Sequence, residues 1–462
     1  MTKKSGSGTG SASSSPRPGE RSSNHSSQWS ERERKQWTLV LFVGTTLAYS
    51  CRTAMSVVAV SLADEFNWDK AQLGLVLGSF FWGYPVLQIP GGGLSDRVGG
   101  DLVITVCALF WALLTVITPI VPYLVESKEG ALALMIIVRL LQGLAQSPHY
   151  PSMSSLVGEK VSAARKGNAI ATLFAATGFG TLVNGFVGSI LLEQYGWHSV
   201  FYLFGSLSIL WTVAMRLFSK HSRQREAAAK RMEHQRDDLE PLVSNGNGSL
   251  SEEKSSSGKQ VKPFSCLTLM SKVPFWGMLL SHQCIDFVFF TALSWLPTYF
   301  TESFPEGKGW VFNVLPWVLA FIASVGSGWL GDWLIEKGFR VGVARKVVVT
   351  IAYVGIAIPS FLVTTTHSYH VALACMVVIV GSQAMCNGSI SVNPQDITPD
   401  HAGLVFGITN GLAGLQGFLA SYIVGVILHK TGQWSIVFQM AGGMSIVGWF
   451  IFVFFGAGYP VM

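Results

Sequence analysis

Charge is scarce in this sequence. Asp, Glu, Lys and Arg make up only 13% of 462 residues, where a soluble domain carries roughly 25%. With 49% hydrophobic residues, 15 Trp and 29 Phe, the deficit points to a bilayer as the solvent. Cysteine is sparse as well. Cys51, Cys107, Cys266, Cys284, Cys375 and Cys386 lie mostly in apolar runs without C-x-x-C spacing, which suggests neither a disulfide framework nor a metal site. No HExxH, GxSxG or paired-carboxylate pattern falls inside an apolar run, arguing against an intramembrane enzyme and leaving no catalytic residues to assign. The Walker-type GxxxxGK[ST] loop is missing too, which disfavours an ATP-driven pump; no cofactor is expected. No secretory signal peptide is visible in the first 36 residues, so the first apolar run is expected to serve as the targeting signal.

What is present is a series of twelve apolar runs, near residues 38–62, 71–93, 102–123, 131–155, 167–192, 199–218, 274–300, 310–332, 346–366, 370–394, 403–428 and 435–458. Each approaches or exceeds the roughly 20 residues that cross the hydrocarbon layer as a helix. The expected fold is an all-α membrane protein of twelve transmembrane helices. It divides into a disordered tail (1–36), a six-helix bundle (37–218), a central loop (219–272) read as a short charged helix and a linker, and a second six-helix bundle (273–458). Lys and Arg fall asymmetrically: 26 of the 32 lie on the side of the N-terminal tail and central loop, and 4 on the other. Because cytoplasmic loops retain positive charge, both termini are expected in the cytosol.

The two bundles echo each other. Gly92-x-x-x-Asp96 ends the second run and Gly328-x-x-x-Asp332 the eighth, 236 residues later, while Trp197 to Phe201 recurs as Trp434 to Phe438 after 237 residues. A nearly constant offset argues for two parallel six-helix repeats, the plan of many secondary carriers, with the substrate site at mid-membrane between them.

Arg139, in LMIIVRLLQGLAQSPHYPSM, and Arg52, in LAYSCRTAMSVV, sit well inside apolar runs. A guanidinium at that depth costs at least about 2.5–3.5 kcal/mol, so each is expected to face a polar cavity or a partner. Its planar fork suits phosphate or carboxylate; pairing with helix-end carbonyls or an acid is the structural alternative. Asp286 is the one carboxylate well inside a run; with His149 and His282 it is a candidate for ion coupling, though it could equally neutralise an arginine. The aromatic cluster ending in Tyr84 could stack on a cargo ring or simply pack. The glycines of the fifth and eleventh runs read as scaffolding for helix sliding.

GSFFWGYPVLQIPGGGLSDRVGG, RLLQGLAQSPHYPSM and SWLPTYF together resemble the anion:cation symporter branch of the major facilitator superfamily, over residues 37–455 apart from much of the central loop. Within it, FPEGKGWVFNVLPWVLAFIASVGSGWLGDWLIEKGFR and SVNPQDITPDHAGLVFGITNGLAGLQGF are similar to the nucleotide-carrying members. The resemblance implies that Arg139 and Arg52 bind anionic cargo, with Gln146 and Tyr84 beside it, and that Asp96, Arg97 and Asp332 gate the cytoplasmic face. Where glutamate-carrying members have an acid, this chain has Gln146, which favours potential-driven uptake over proton cotransport. A lumen-positive 100 mV favours entry of three or four negative charges by roughly 7–9 kcal/mol. The expectation is therefore a monomeric carrier of ATP, ADP or GTP in a secretory-vesicle or lysosomal membrane, with chloride activation implied by the family and no role for nucleic acid polymers. Its rivals are a proton- or sodium-coupled symporter of phosphate or organic acids, and a non-transporting receptor or scaffold.

Overall fold

The computed structural model describes residues 29–161, 163–239, 266–399 and 402–461. Among these, eleven helices are long and apolar enough to cross a membrane, and a twelfth span is divided into Lys70–Gly83 and Gln88–Val98 by a break that begins at Tyr84 and Pro85. We number the spans in chain order. The first, Glu31–Phe66, starts in a capping box between Ser30 and Glu33 and ends at Asn67, whose φ of 54° stops the helix. Asp69 and Gln72 form a second capping box that starts the next span at once; two helix ends are thus satisfied within a few residues.

The spans are less regular than apolarity alone predicts. The fourth breaks between Lys128–Gln146 and His149–Lys160, at Pro148. The fifth contains a π-helical turn at Asn184–Gly188. Pro297 and Pro316, by contrast, sit inside continuous helices. The sixth runs unbroken from Trp197 to Leu239, carrying the helix well into the central loop. Between the fifth and sixth spans Gly196 has φ 79°, and between the eleventh and twelfth Gly432 has φ 64°. These two left-handed turns lie 236 residues apart, the same offset as the repeated motifs, and both need a residue without Cβ.

The first span packs on the fifth and sixth, and the second on the fourth; in the other half the seventh packs on the twelfth and the eighth on the tenth. The halves meet through three pairs: second with eleventh, first with seventh, and fifth with eighth. Large apolar side chains such as Phe110, Leu113, Ile322, Trp329 and Phe454 remain exposed around the outside. A water-soluble protein would bury that surface, whereas lipid accepts it: this is a multi-pass membrane protein.

The contact between the halves is one-sided. At the end carrying the first-to-second and eleventh-to-twelfth turns, Lys70 forms an ion pair with Glu302 and His429 lies 3.8 Å from Asp69. Further in, Gly425 meets Gly74 and the backbone of Lys70, and Gly417 meets Phe81. The eleventh span keeps this contact as far as Gly414, against Pro85 and Tyr84, but Gly411 and Gly407 have open space where a Cβ would project. Gly407 and Gly414 are seven residues apart and share one helix face. The cleft between the halves is therefore sealed at one end and open at the other. The fifth span repeats the pattern, with Gly185 against Asn313 and Gly178 free.

Candidate functional site

Arg52 and Arg139 come together inside the first half. Arg52, 6% exposed, donates from Nε and Nη2 to Oε1 of Gln146 at 3.3 and 3.2 Å. Its guanidinium carbon lies 4.4 Å from the ring centres of Tyr49 and Tyr84 and 4.7 Å from that of Phe80. Arg139, 2% exposed, lies behind it. Nη1 donates to Oε1 of Gln142 at 3.0 Å, and Nη2 reaches the backbone oxygen of Arg52 at 3.4 Å, while the Phe80 ring centre is 5.1 Å away. Each glutamine is held in turn: Gln146 donates to the carbonyl of Ala48 at 3.1 Å, and Gln142 to the hydroxyls of Thr115 and Thr118 at 3.3 and 3.1 Å.

Among the described residues, no carboxylate lies within ion-pair distance of either arginine, and Nε of Arg139 has no acceptor. Ring faces attract a desolvated guanidinium by about 0.5–2 kcal/mol each, and the amides supply neutral acceptors. Neither removes the charge. Two buried cations, one on the first span and one on the fourth, thus lie together without a counter-ion among the described residues, an arrangement whose desolvation cost an arriving anion would offset. Of the two, Arg52 is the one whose covering rings reach the cleft, because Tyr84 also meets Gly414 of the opposite half and Tyr49 is only half-buried. Arg139 is covered by Phe80 and held by Gln142 and the Arg52 carbonyl.

The other residues singled out from the sequence are scattered. His149 takes part in a 2.9 Å hydrogen bond with Thr45 in the first half. Asp286 lies in the second half, 2.9 Å from His282 one helical turn earlier, so the structure does not bring Asp286 and His149 together. Arg97 and Asp332 are exposed at the open end, and the side chain of Asp96 lies outside the described residues. The ordered charges at that end are different ones. Arg345 donates to both carboxylate oxygens of Asp396 at 2.9 and 3.4 Å and to the carbonyl of Gly388 at 3.0 Å. Asp101 is held by Arg223 and Ser219. The sequence reading counted Arg345 and Arg223 only as loop charge; the pairing of residues 51 and 122 positions apart is set by tertiary packing. Gln142 and Tyr49 were missed as well, although each lies one helical turn from a marked arginine; Phe80 was marked only as part of the aromatic cluster that ends in Tyr84.

The family model of the Major Facilitator Superfamily matches residues 41–421. The chain belongs to this superfamily. Its relatives include the mouse "Voltage-gated purine nucleotide uniporter SLC17A9", 36% identical over 94% of this chain and 92% of that one. Another is the Arabidopsis thaliana "Sodium-dependent phosphate transport protein 1, chloroplastic", 30% identical over 94% of this chain and 81% of that one. Among solved structures, the inward-open conformation of the xylose transporter XylE from E. coli matches with a TM-score of 0.66 at 17% identity, covering 91% of this chain and 96% of that chain. As a member of the superfamily the protein is a transporter and not an enzyme, and its two halves, joined at one end and parted at the other, have the form that alternating access requires.

Proposed function

We propose that this chain is a uniporter for nucleotides, driven by membrane potential, that loads ATP, ADP or GTP from the cytosol into the lumen of a secretory vesicle or lysosome, with both termini cytosolic. The observation that carries this reading is the pair Arg52 and Arg139, two buried guanidinium groups with no acid beside them among the described residues. A polyanion supplies the missing charge, and Arg52 meets it first. Gln146 holds Arg52 without neutralising it, and no proton needs to move for the site to bind or release an anion. The name of the mouse relative supports the same cargo and drive. With three to four negative charges, 100 mV supplies roughly 7–9 kcal/mol.

A second reading, a proton- or sodium-coupled symporter of phosphate or an organic acid, is favoured by the name of the plant relative and by the buried His282–Asp286 pair. Uptake by purified protein in liposomes separates the two. Potential-driven ATP uptake survives collapse of the proton and sodium gradients and stops when valinomycin clamps the potential at zero; the opposite pattern supports the symporter. Replacing chloride with gluconate in the same assay tests for chloride activation. Binding of anions with no flux under any gradient would overturn both in favour of a receptor.

A further inference from the structure

Two rings meet across the cleft on its open side. Phe174 of the fifth span and Phe406 of the eleventh stand edge to face, with ring centres 6.3 Å apart and planes at 85°. The other ring pairs that join the halves among the described residues, Phe81–Phe290, Trp82–Phe418 and Phe186–Trp310, lie on the sealed side. Phe174 reaches the cleft because it shares a helix face with Gly178 and Thr181; Thr181 lies against Asn313 and Trp317 of the second half, and Gly178 has open space before it. Phe406 directly precedes Gly407, which is free in the same way. Behind Phe174 the packing is firm. Tyr150 stacks on one of its faces at 5.1 Å, with planes 17° apart, and stands edge-on to Tyr49 at 6.4 Å, while Tyr49 covers Arg52 at 4.4 Å. A row of rings therefore leads from the guanidinium to Phe174, which is 39% exposed.

We propose that Phe174 and Phe406 clamp the base of the cargo, which lies on the face of Phe174 that Tyr150 leaves free while Arg52 holds the phosphates. This deepens the nucleotide reading and rests on it. The arrangement suits a cargo with an anionic end and a flat apolar end. Carbon atoms in contact lie about 3.5 Å apart, so a base between parallel rings sets their centres about 7 Å apart, close to the 6.3 Å seen. Turning Phe406 face-on, with the open space at Gly407 beside it, admits the base without parting the halves. Neither ring carries a polar atom, so the turn breaks no hydrogen bond. For the same reason the clamp reads the π-face of a base and not its edges, and it accepts adenine and guanine alike.

The test is competition against labelled ATP uptake in proteoliposomes, using unlabelled ATP, GTP and inorganic tripolyphosphate for the wild type, Phe174→Leu and Phe406→Leu. Leucine keeps the apolar bulk and removes the flat ring. Stacking on an aromatic side chain is worth about fivefold to a hundredfold per base. The wild type should bind ATP and GTP more tightly than tripolyphosphate by that factor, and each leucine variant should weaken both nucleotides by at least about fivefold while leaving inhibition by tripolyphosphate unchanged. Phe174→Trp, which restores a ring, should keep the preference. A wild type that does not favour nucleotides over tripolyphosphate overturns the clamp. So does equal weakening toward all three anions, or no change, since two rings that only gate the cleft cannot tell a base from its absence. Because the rings stand on different halves, a folding failure in one variant leaves the other to decide. If tripolyphosphate and nucleotides neither compete nor enter at all, it is the nucleotide reading that fails.

Discussion

Gln146 and Arg52 are joined by two hydrogen bonds that converge on one oxygen, Oε1, at 3.3 and 3.2 Å. The amide therefore orients the guanidinium while leaving its charge intact. Gln146→Glu turns that contact into a buried ion pair, far stronger than the neutral one, and replaces the amide that donates to the Ala48 carbonyl, so the site no longer offers net positive charge to an anion. Uptake at neutral pH should fall at least about tenfold. Acidification should restore part of it, since protonating the new carboxylate frees Arg52. An uptake profile measured from pH 5 to 8 that is flat and equal to wild type would remove Arg52 from the cargo site.

Lys70 and Glu302 tie the halves at the sealed end, and Nε1 of Trp434 donates to the same carboxylate at 3.3 Å. Both side chains of the ion pair are about 30% exposed, so the pair is worth about 1 kcal/mol or less. Glu302→Gln should shift the balance of states by about fivefold or less toward opening at this end, raising the alkylation rate of a Ser56→Cys reporter from that side. Exchanging the charges, Lys70→Glu with Glu302→Lys, should return the rate toward its starting value. A double variant no slower than the single ones would show that the pair does not hold this end shut.

Phe80 covers both arginines, and its position is set from behind by Gly143, where a built Cβ would run into the Phe80 carbonyl. That obstacle is backbone and has no rotamer to move into. Gly143→Ala should destabilise the first half by about 1–3 kcal/mol and lower anion affinity at the same time. Gly158→Ala, with nothing near its Cβ, is the control that should leave both unchanged; detergent thermal shifts with and without ATP give both quantities.

The twelve-span plan was legible because burying backbone in lipid demands long apolar helices, and such runs announce themselves. The repeat was legible too, in Gly92–Asp96 with Gly328–Asp332 and Trp197–Phe201 with Trp434–Phe438, and the positive-φ turns at Gly196 and Gly432 keep the same offset. Less visible was where a span breaks. Pro85 follows the break at Tyr84, yet Pro297 and Pro316 leave their helices intact, because whether freed carbonyls find partners depends on neighbours the sequence does not order. At the site, the depth of Arg52 and Arg139 marked them out, but not that one shields the other.

Gly407 and Gly411 bear on whether the cleft closes. They continue the eleventh-span face that packs tightly from Gly425 to Gly414, yet have empty space before them. If the halves rock about the site, this stretch must meet the opposite half when the other end opens, and small residues are what let helices come that close. The Cβ of Gly411→Leu projects into open space in the present state, so folding and ATP binding from the open end should be preserved within about twofold. It should also wedge the cleft, cutting uptake at least about tenfold. Gly417→Leu is the contrast: it collides with Phe81 in the state seen here and should disturb folding or binding before it affects turnover. Bound ATP measured beside transported ATP separates the two, and a Gly411→Leu carrier that turns over normally would mean this face never closes.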